Sequence, residues 1–172
     1  MGQFLGFVSL SSQLKAAVLV KNSSDSPVNA DATPTYRVYG PSGLMTGGAG
    51  SLSQKDTGSV TGATNASPIV ITSAGHNLTT GTKVTITGVL GNTAANGTFS
   101  ITVVSSNTFS LDGSTGNGAY TSGGTWNVSG LYDFAYTPTA GNGFAAGTSY
   151  QVLVNATVSG TVTGDTHTFT CV

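Results

Sequence analysis

The sequence is poor in charge. Asp, Glu, Lys and Arg together make up 6% of 172 residues, against about 25% in ordinary soluble domains. Glutamate is absent, so the six acidic residues are all aspartate, and the net charge is -1. With no cluster of cations to neutralise a run of phosphates, the sequence argues against nucleic acid as a partner. It also lacks the polybasic segment that suits an anionic membrane surface. A near-neutral surface repels its own copies weakly, which suits a fixed assembly better than a concentrated free state.

Cysteine is nearly missing too. Cys171 is the only one, so no internal disulfide and no thiolate pair for a metal can form. It reads as a small apolar residue on the last strand. No run approaches the ~20 apolar residues of a membrane-spanning helix. The apolar start, Met1-Gly2-Gln3-Phe4-Leu5-Gly6-Phe7-Val8-Ser9-Leu10, has no basic leader and no cleavage pattern. Gly6 stands where a myristoylation signal needs Ser or Thr. The expectation is synthesis in a host cytoplasm without secretion.

What the chain does contain is Gly, Ser, Thr and Asn, all poor helix formers, with 38% hydrophobic residues in alternating runs. That combination predicts short strands and tight turns. Strands are expected over 15–20, 35–39 and 50–54, and again over 131–136, 150–158 and 161–171. Tyr132, Phe134 and Tyr136 share one face, as do Tyr150, Val152, Val154, Ala156 and Val158. Ser159-Gly160 reads as a hairpin turn and Gly164 as a bulge.

The organisation is interrupted. Lys55-Asp56-Thr57-Gly58 runs up to a strand that arrives only at Gly130-Leu131-Tyr132-Asp133-Phe134. Removing 58–128 leaves the length of one small sandwich, roughly 100 residues. The removed part has its own rhythm. Five short strands are expected: Pro68 to Thr72, Lys83 to Thr87, Thr98 to Val104, Thr108 to Asp112, and a last one in the stretch holding Ala119-Tyr120 and Gly124-Thr125-Trp126. That pattern predicts a small barrel or curled sheet. The expected domains are an N-terminal arm at 1–14, which either adds an edge strand to its own sandwich or docks on a neighbouring subunit, a discontinuous sandwich from 15–57 and 129–172, and an inserted β domain at 58–128.

Two resemblances follow. The segments Gly130-Leu131-Tyr132-Asp133-Phe134-Ala135-Tyr136-Thr137-Pro138 and Ser149-Tyr150-Gln151-Val152-Leu153-Val154 resemble bacterial-type immunoglobulin-like domains. Their antibody relatives' Cys…Trp…Cys core is absent. The insert resembles a small β module of phage tail and virion proteins that is also inserted in ubiquitin-activating enzymes. Its carrying residues are Ile71-Thr72-Ser73-Ala74-Gly75-His76-Asn77-Leu78, Thr80-Gly81-Thr82-Lys83-Val84, Asn96-Gly97-Thr98-Phe99 and Asn107-Thr108-Phe109-Ser110-Leu111. No nucleotide-binding motif or catalytic cysteine accompanies it. Together the resemblances imply an all-β, immunoglobulin-like β-sandwich with a small β-barrel-like domain inserted in one inter-strand loop. The implied setting is the virion of a tailed phage.

Candidate sites are few. His76 sits in a turn without a carboxylate or second histidine, a poor catalyst or metal ligand. His167 and Asp165 share a strand face, where a surface hydrogen bond is simpler than a catalytic dyad. Asp112-Gly113-Ser114-Thr115-Gly116-Asn117-Gly118 lacks the charge and final Glu of a calcium loop and reads as a hairpin tip. The chain has no Gly-x-Ser-x-Gly elbow and no phosphate-cradling loop. Asn sequons follow from composition. Tyr120 and Trp126 would form a glycan-stacking pair if exposed together, or else close a small core.

The expected function is a non-enzymatic structural protein of a phage particle, without cofactor or metal. The favoured form is a capsid decoration or cement protein, bound to the shell and projecting its insert outward. Its partners would be the major capsid protein or other virion proteins, with the chain itself a homo-oligomer or present in many copies on a symmetric lattice. Phe4, Leu5, Phe7 and Val8 are the expected assembly contacts. The alternative is a tail or fibre adhesin binding host-surface carbohydrate through Tyr120 and Trp126. A polysaccharide hydrolase would need two converging Asp carboxylates.

Overall fold

A computed structural model describes residues 4–172. The protein is all-β. Two short 3-10 turns, Thr93–Ala95 and Ala140–Asn142, are the helical elements among the described residues. The chain divides into two compact units, Met1–Ser53 with Gly130–Val172, and Gln54–Ser129.

In chain order the first strands are β1 (Phe4–Val8), β2 (Leu14–Leu19), β3 (Thr35–Gly40), β4 (Gly43–Ser51) and β5 (Ser53–Gln54). Next come β6 (Thr57–Ser59), β7 (Gly62–Ala63), β8 (Ile69–Thr72), β9 (Lys83–Thr87), β10 (Gly97–Ser105), β11 (Thr108–Leu111) and β12 (Thr125–Val128). The last are β13 (Leu131–Tyr136), β14 (Ser149–Val158) and β15 (Thr161–Cys171).

The sandwich pairs a five-stranded sheet, β1-β15-β14-β3-β4, with a three-stranded sheet, β2-β13-β5. That division of strands between two sheets is immunoglobulin-like. Each long strand alternates, so one set of side chains faces inward. Tyr132, Phe134, Tyr136, Tyr150, Val152, Val154 and Phe169 form the buried interior with Val38 and Cys171. Within this core runs a chain of aromatic rings. Tyr36 meets Phe134 edge-on at 4.7 Å. Tyr136 lies 5.5 Å from Phe144, and Phe144 lies 4.5 Å from Tyr150. Aromatic pairs of this geometry add to simple burial.

Tyr150 is the second residue of β14 and its Oη accepts the Ala145 N–H at 2.8 Å, tying the strand to the turn before it. This is the tyrosine corner of immunoglobulin-like sandwiches. Tyr150→Phe keeps the ring and removes the bond. It is expected to lower stability by about 0.5–1.5 kcal/mol, read as a shift in the urea midpoint at unchanged slope.

Several expectations need correction. Of the two readings of the N-terminal segment, Phe4–Val8 takes the one that adds it to its own sandwich. It is an edge strand parallel to β15, with Val8 opposite Cys171, and Leu14 already belongs to β2. Met1, Gly2 and Gln3 of the expected arm lie outside the described residues. Gly164 pairs in register opposite Asn155, with no bulge. The Gly-rich stretch 43–51 is a strand, and Gly50 within it makes room for a larger neighbour. A Cβ on Gly50 would come within 2.7 Å of the Tyr36 ring. Ser159 and Gly160 do form the hairpin turn, with φ of 50° and 75° that fit a type I′ geometry.

In the second unit the strand order is β6-β12-β9-β10-β11-β8-β7. Because β6 and β7 are nearly contiguous in the chain, the sheet curls back on itself. Its interior holds Ile69, Ile71, Val84, Ile86, Ile101, Phe109, Leu111 and Trp126. Thr57 sits in this unit rather than in the sandwich, since it pairs with Asn127. Ala119-Tyr120 is not a strand; nearby, Ser122 makes one isolated bridge to Leu90.

Candidate functional site

The expected assembly residues split by the strand's own geometry. Along β1, Phe4 pairs with Thr168 and Phe7 with Thr170, so the register shifts between them. Gly6 takes φ 107°, a conformation open mainly to glycine. The extra residue is a β-bulge, and it brings Phe4 and Phe7 to one face although they are three apart. Both are exposed, at 52% and 71%, and their rings meet edge-on at 5.5 Å. Leu5 and Val8 turn the other way, against the sandwich's own core. Of the four expected assembly residues, Phe4 and Phe7 are the ones turned to solvent.

These two phenylalanines border the outward face of the five-stranded sheet. One row of paired residues runs Phe4, Thr168, Gln151, Tyr39, Leu44. The next runs Thr166, Leu153, Arg37, Ala49. Arg37 is the single charge in those rows. Leu44, at the far end, is 54% exposed.

The proposed glycan pair is not formed. Trp126 is buried at 4% exposure. Its Nε1–H donates to Ser73 Oγ at 2.8 Å, and its ring meets Phe109 edge-on at 6.1 Å. Gly58 covers the indole so closely that a Cβ there would lie 2.6 Å from it. Tyr120 packs against the same core, its hydroxyl bonded to the Val60 and Gly123 carbonyls. The small core needs the large indole to fill it, and that need overrides display.

Beside Trp126 lies a cleft of about 470 Å³. On one side are Thr57, Gly58 and Ser59; on the other are Ser73, Gly75, His76 and Asn77. His76 holds the second side in place. Its Nε2–H donates to Ser105 O at 2.9 Å, and its Nδ1 accepts the Leu78 N–H at 3.0 Å. Both ring nitrogens are thus committed, which fixes the tautomer and makes His76 a structural residue.

His167 is buried rather than on the surface, and neither ring nitrogen makes a hydrogen bond. Asp165 Oδ2 is 3.4 Å from its Nε2. In the 112–118 loop, Ser114 turns inward, donating to Leu111 O at 2.6 Å and accepting the Ile69 N–H at 3.0 Å. It fixes the start of β8. Among the described residues no three His, Cys, Asp or Glu side chains cluster as metal ligands. Burial pushes the Cys171 thiol up from its ordinary value, and burial raises Tyr36 likewise. Both behave as core residues.

The family model described as the ubiquitin-activating enzyme E1 FCCH domain matches residues 67–128, from just before β8 to the end of β12. No curated relative matches the chain. Among solved structures, the chain is similar to ACE19, the collagen binding subdomain of the Enterococcus faecalis surface protein ACE. The two are 13% identical, with 96% of this chain and 91% of that chain covered and a TM-score of 0.24.

Proposed function

We propose that this chain is a non-enzymatic structural protein of a phage particle that attaches to the shell as a decoration or cement protein. The observation that carries the reading is the exposed Phe4–Phe7 pair on an edge strand, beside a sheet face with one charge in its two central rows. Apolar burial supplies attachment energy on such a surface, at roughly 25 cal/mol per Å², with little contribution from ion pairs. The virion setting is supported by the resemblance of the insert to a module of phage proteins. In this reading the sandwich attaches, the inserted unit is displayed, and repeated copies on a symmetric lattice add avidity. The partner is the major capsid protein or a neighbouring virion protein.

The test is substitution, not truncation. Deleting β1 would remove Val8 from the core and bare the edge of β15. Phe4→Ser with Phe7→Ser changes only exposed side chains and is expected to alter stability by no more than about 0.5 kcal/mol per site. The wild-type chain is expected to sediment with shells and to appear as density at repeated lattice positions in electron micrographs. The double variant is expected to remain in the supernatant. Undiminished attachment of the folded variant would reject this surface.

A further inference from the structure

The cleft beside Trp126 exists because two strands part company. β6 and β7 are halves of one bent strand. Thr57–Ser59 pairs with β12, whereas Gly62–Ala63 pairs with β8 on the opposite flank. The changeover is at Thr61, whose N–H donates to Thr72 O at 2.8 Å. Extending the Gly62 to Thr72 register backward would set Ser59 against Gly75 and Thr57 against Asn77. The chain instead leaves β8 after Thr72, and both stretches line the cleft.

The ladder fixes which backbone groups look into it. Val128 N–H donates to Asp56 O at 3.1 Å and Val60 N–H donates to Gly124 O at 2.9 Å. Residues 56, 58 and 60 therefore turn their backbone toward β12, and the alternation of an antiparallel pair turns Thr57 and Ser59 the other way. β6 ends the strand order, and among the described residues nothing pairs with the cleft-side N–H and C=O groups of Thr57 and Ser59. The facing wall is already rigid. Asn107 accepts the Gly75 N–H through Oδ1 at 2.9 Å and the Ser73 N–H through its carbonyl at 2.9 Å, and His76 clamps the same turn. Little ordering is left for a ligand to impose.

We propose that this cleft binds an extended, uncharged peptide segment of a partner protein as an added antiparallel strand on β6. Two residues of the segment exchange hydrogen bonds with Thr57 and Ser59. The residue between them lies opposite Gly58 and turns inward. Gly58 has no side chain to block it, and Ala74, Leu78 and Trp126 supply the wall, so a small aliphatic side chain such as valine fits. Asp56 is the one carboxylate lining the cleft, and it disfavours acidic segments. A sugar is the poorer occupant, since Gly58 covers the indole face on which a ring would stack.

The experiment titrates the isotopically labelled full chain with acetyl-Ser-Thr-Val-Thr-Ser-amide and follows backbone amides by NMR. Saturable shifts and slowed hydrogen exchange are expected at Thr57 and Ser59. Methylating the two threonine amide nitrogens of the peptide removes donors and is expected to weaken binding about tenfold or more. Ser59→Pro removes a cleft-facing N–H without touching the β12 ladder, and is expected to weaken binding to a similar degree while the Trp126 indole resonance stays in place. Failure to saturate, indifference to N-methylation, or shifts confined to other residues would overturn the proposal. So would a chito-oligosaccharide that shifts the same two amides when the peptide does not.

Discussion

Trp126→Ala is expected to destabilise the inserted unit by about 3–5 kcal/mol, the usual cost of removing a large buried aromatic. Three losses combine. The indole packs into a core whose other members are mostly aliphatic. Its edge contact with Phe109 disappears. Ser73, 2% exposed, loses the hydrogen bond donated by the indole. Native-state hydrogen exchange should show the change as lost protection across 54–129. Trp126→Phe retains much of the volume and loses the donor, so its cost should be smaller. A Trp126→Ala variant as protected as wild type would mean that the indole does not fill this core.

Phe134→Ala is expected to cost a similar amount, about 3–5 kcal/mol, but in the sandwich. Phe134 is 1% exposed and packs edge-on against Tyr36 of the opposite sheet. Tyr36 in turn lies over Gly50, so the surrounding backbone has little freedom to collapse into the space. Phe7→Ala is the matched control. It removes the same side chain from an exposed position and should change stability by no more than about 0.5 kcal/mol. Urea unfolding of both variants measures the contrast. Equal midpoints would contradict the assignment of Phe134 to the core and Phe7 to the surface.

Much of the sandwich was legible because its strands obey a period of two. Tyr132, Phe134 and Tyr136 face inward because alternate residues must do so once one face is buried. The same rule placed Tyr150, Val152, Val154 and Ala156. It failed over residues 43–49 of β4, where glycine reads as punctuation. It failed again at β6 and β7, whose three and two small residues carry no hydrophobic signal and are held only by their pairing with β12 and β8.

The candidate sites were less legible. Periodicity alone puts Phe4 and Phe7 on opposite faces; the bulge at Gly6 brings them together. A motif scan singles out Trp126 as a display residue or a core residue, and only packing against Gly58, Ser73 and Phe109 decides for the core. No sequence signal marks Thr57 and Ser59. Their interest lies in backbone groups left unpaired by the departure of β8, and every residue has such groups.

The sequence by itself determined the class of structure: too little charge, too few helix formers and too regular an alternation for anything but packed strands with turns between them. Those properties are local, and each residue contributes to them wherever it sits. Which aromatic is offered to solvent, which is buried, and where a strand is left with an open flank were decided by the tertiary structure alone. Such outcomes depend on pairing between segments far apart in the chain, where one bulge or one early strand end reassigns the exposure of every neighbour.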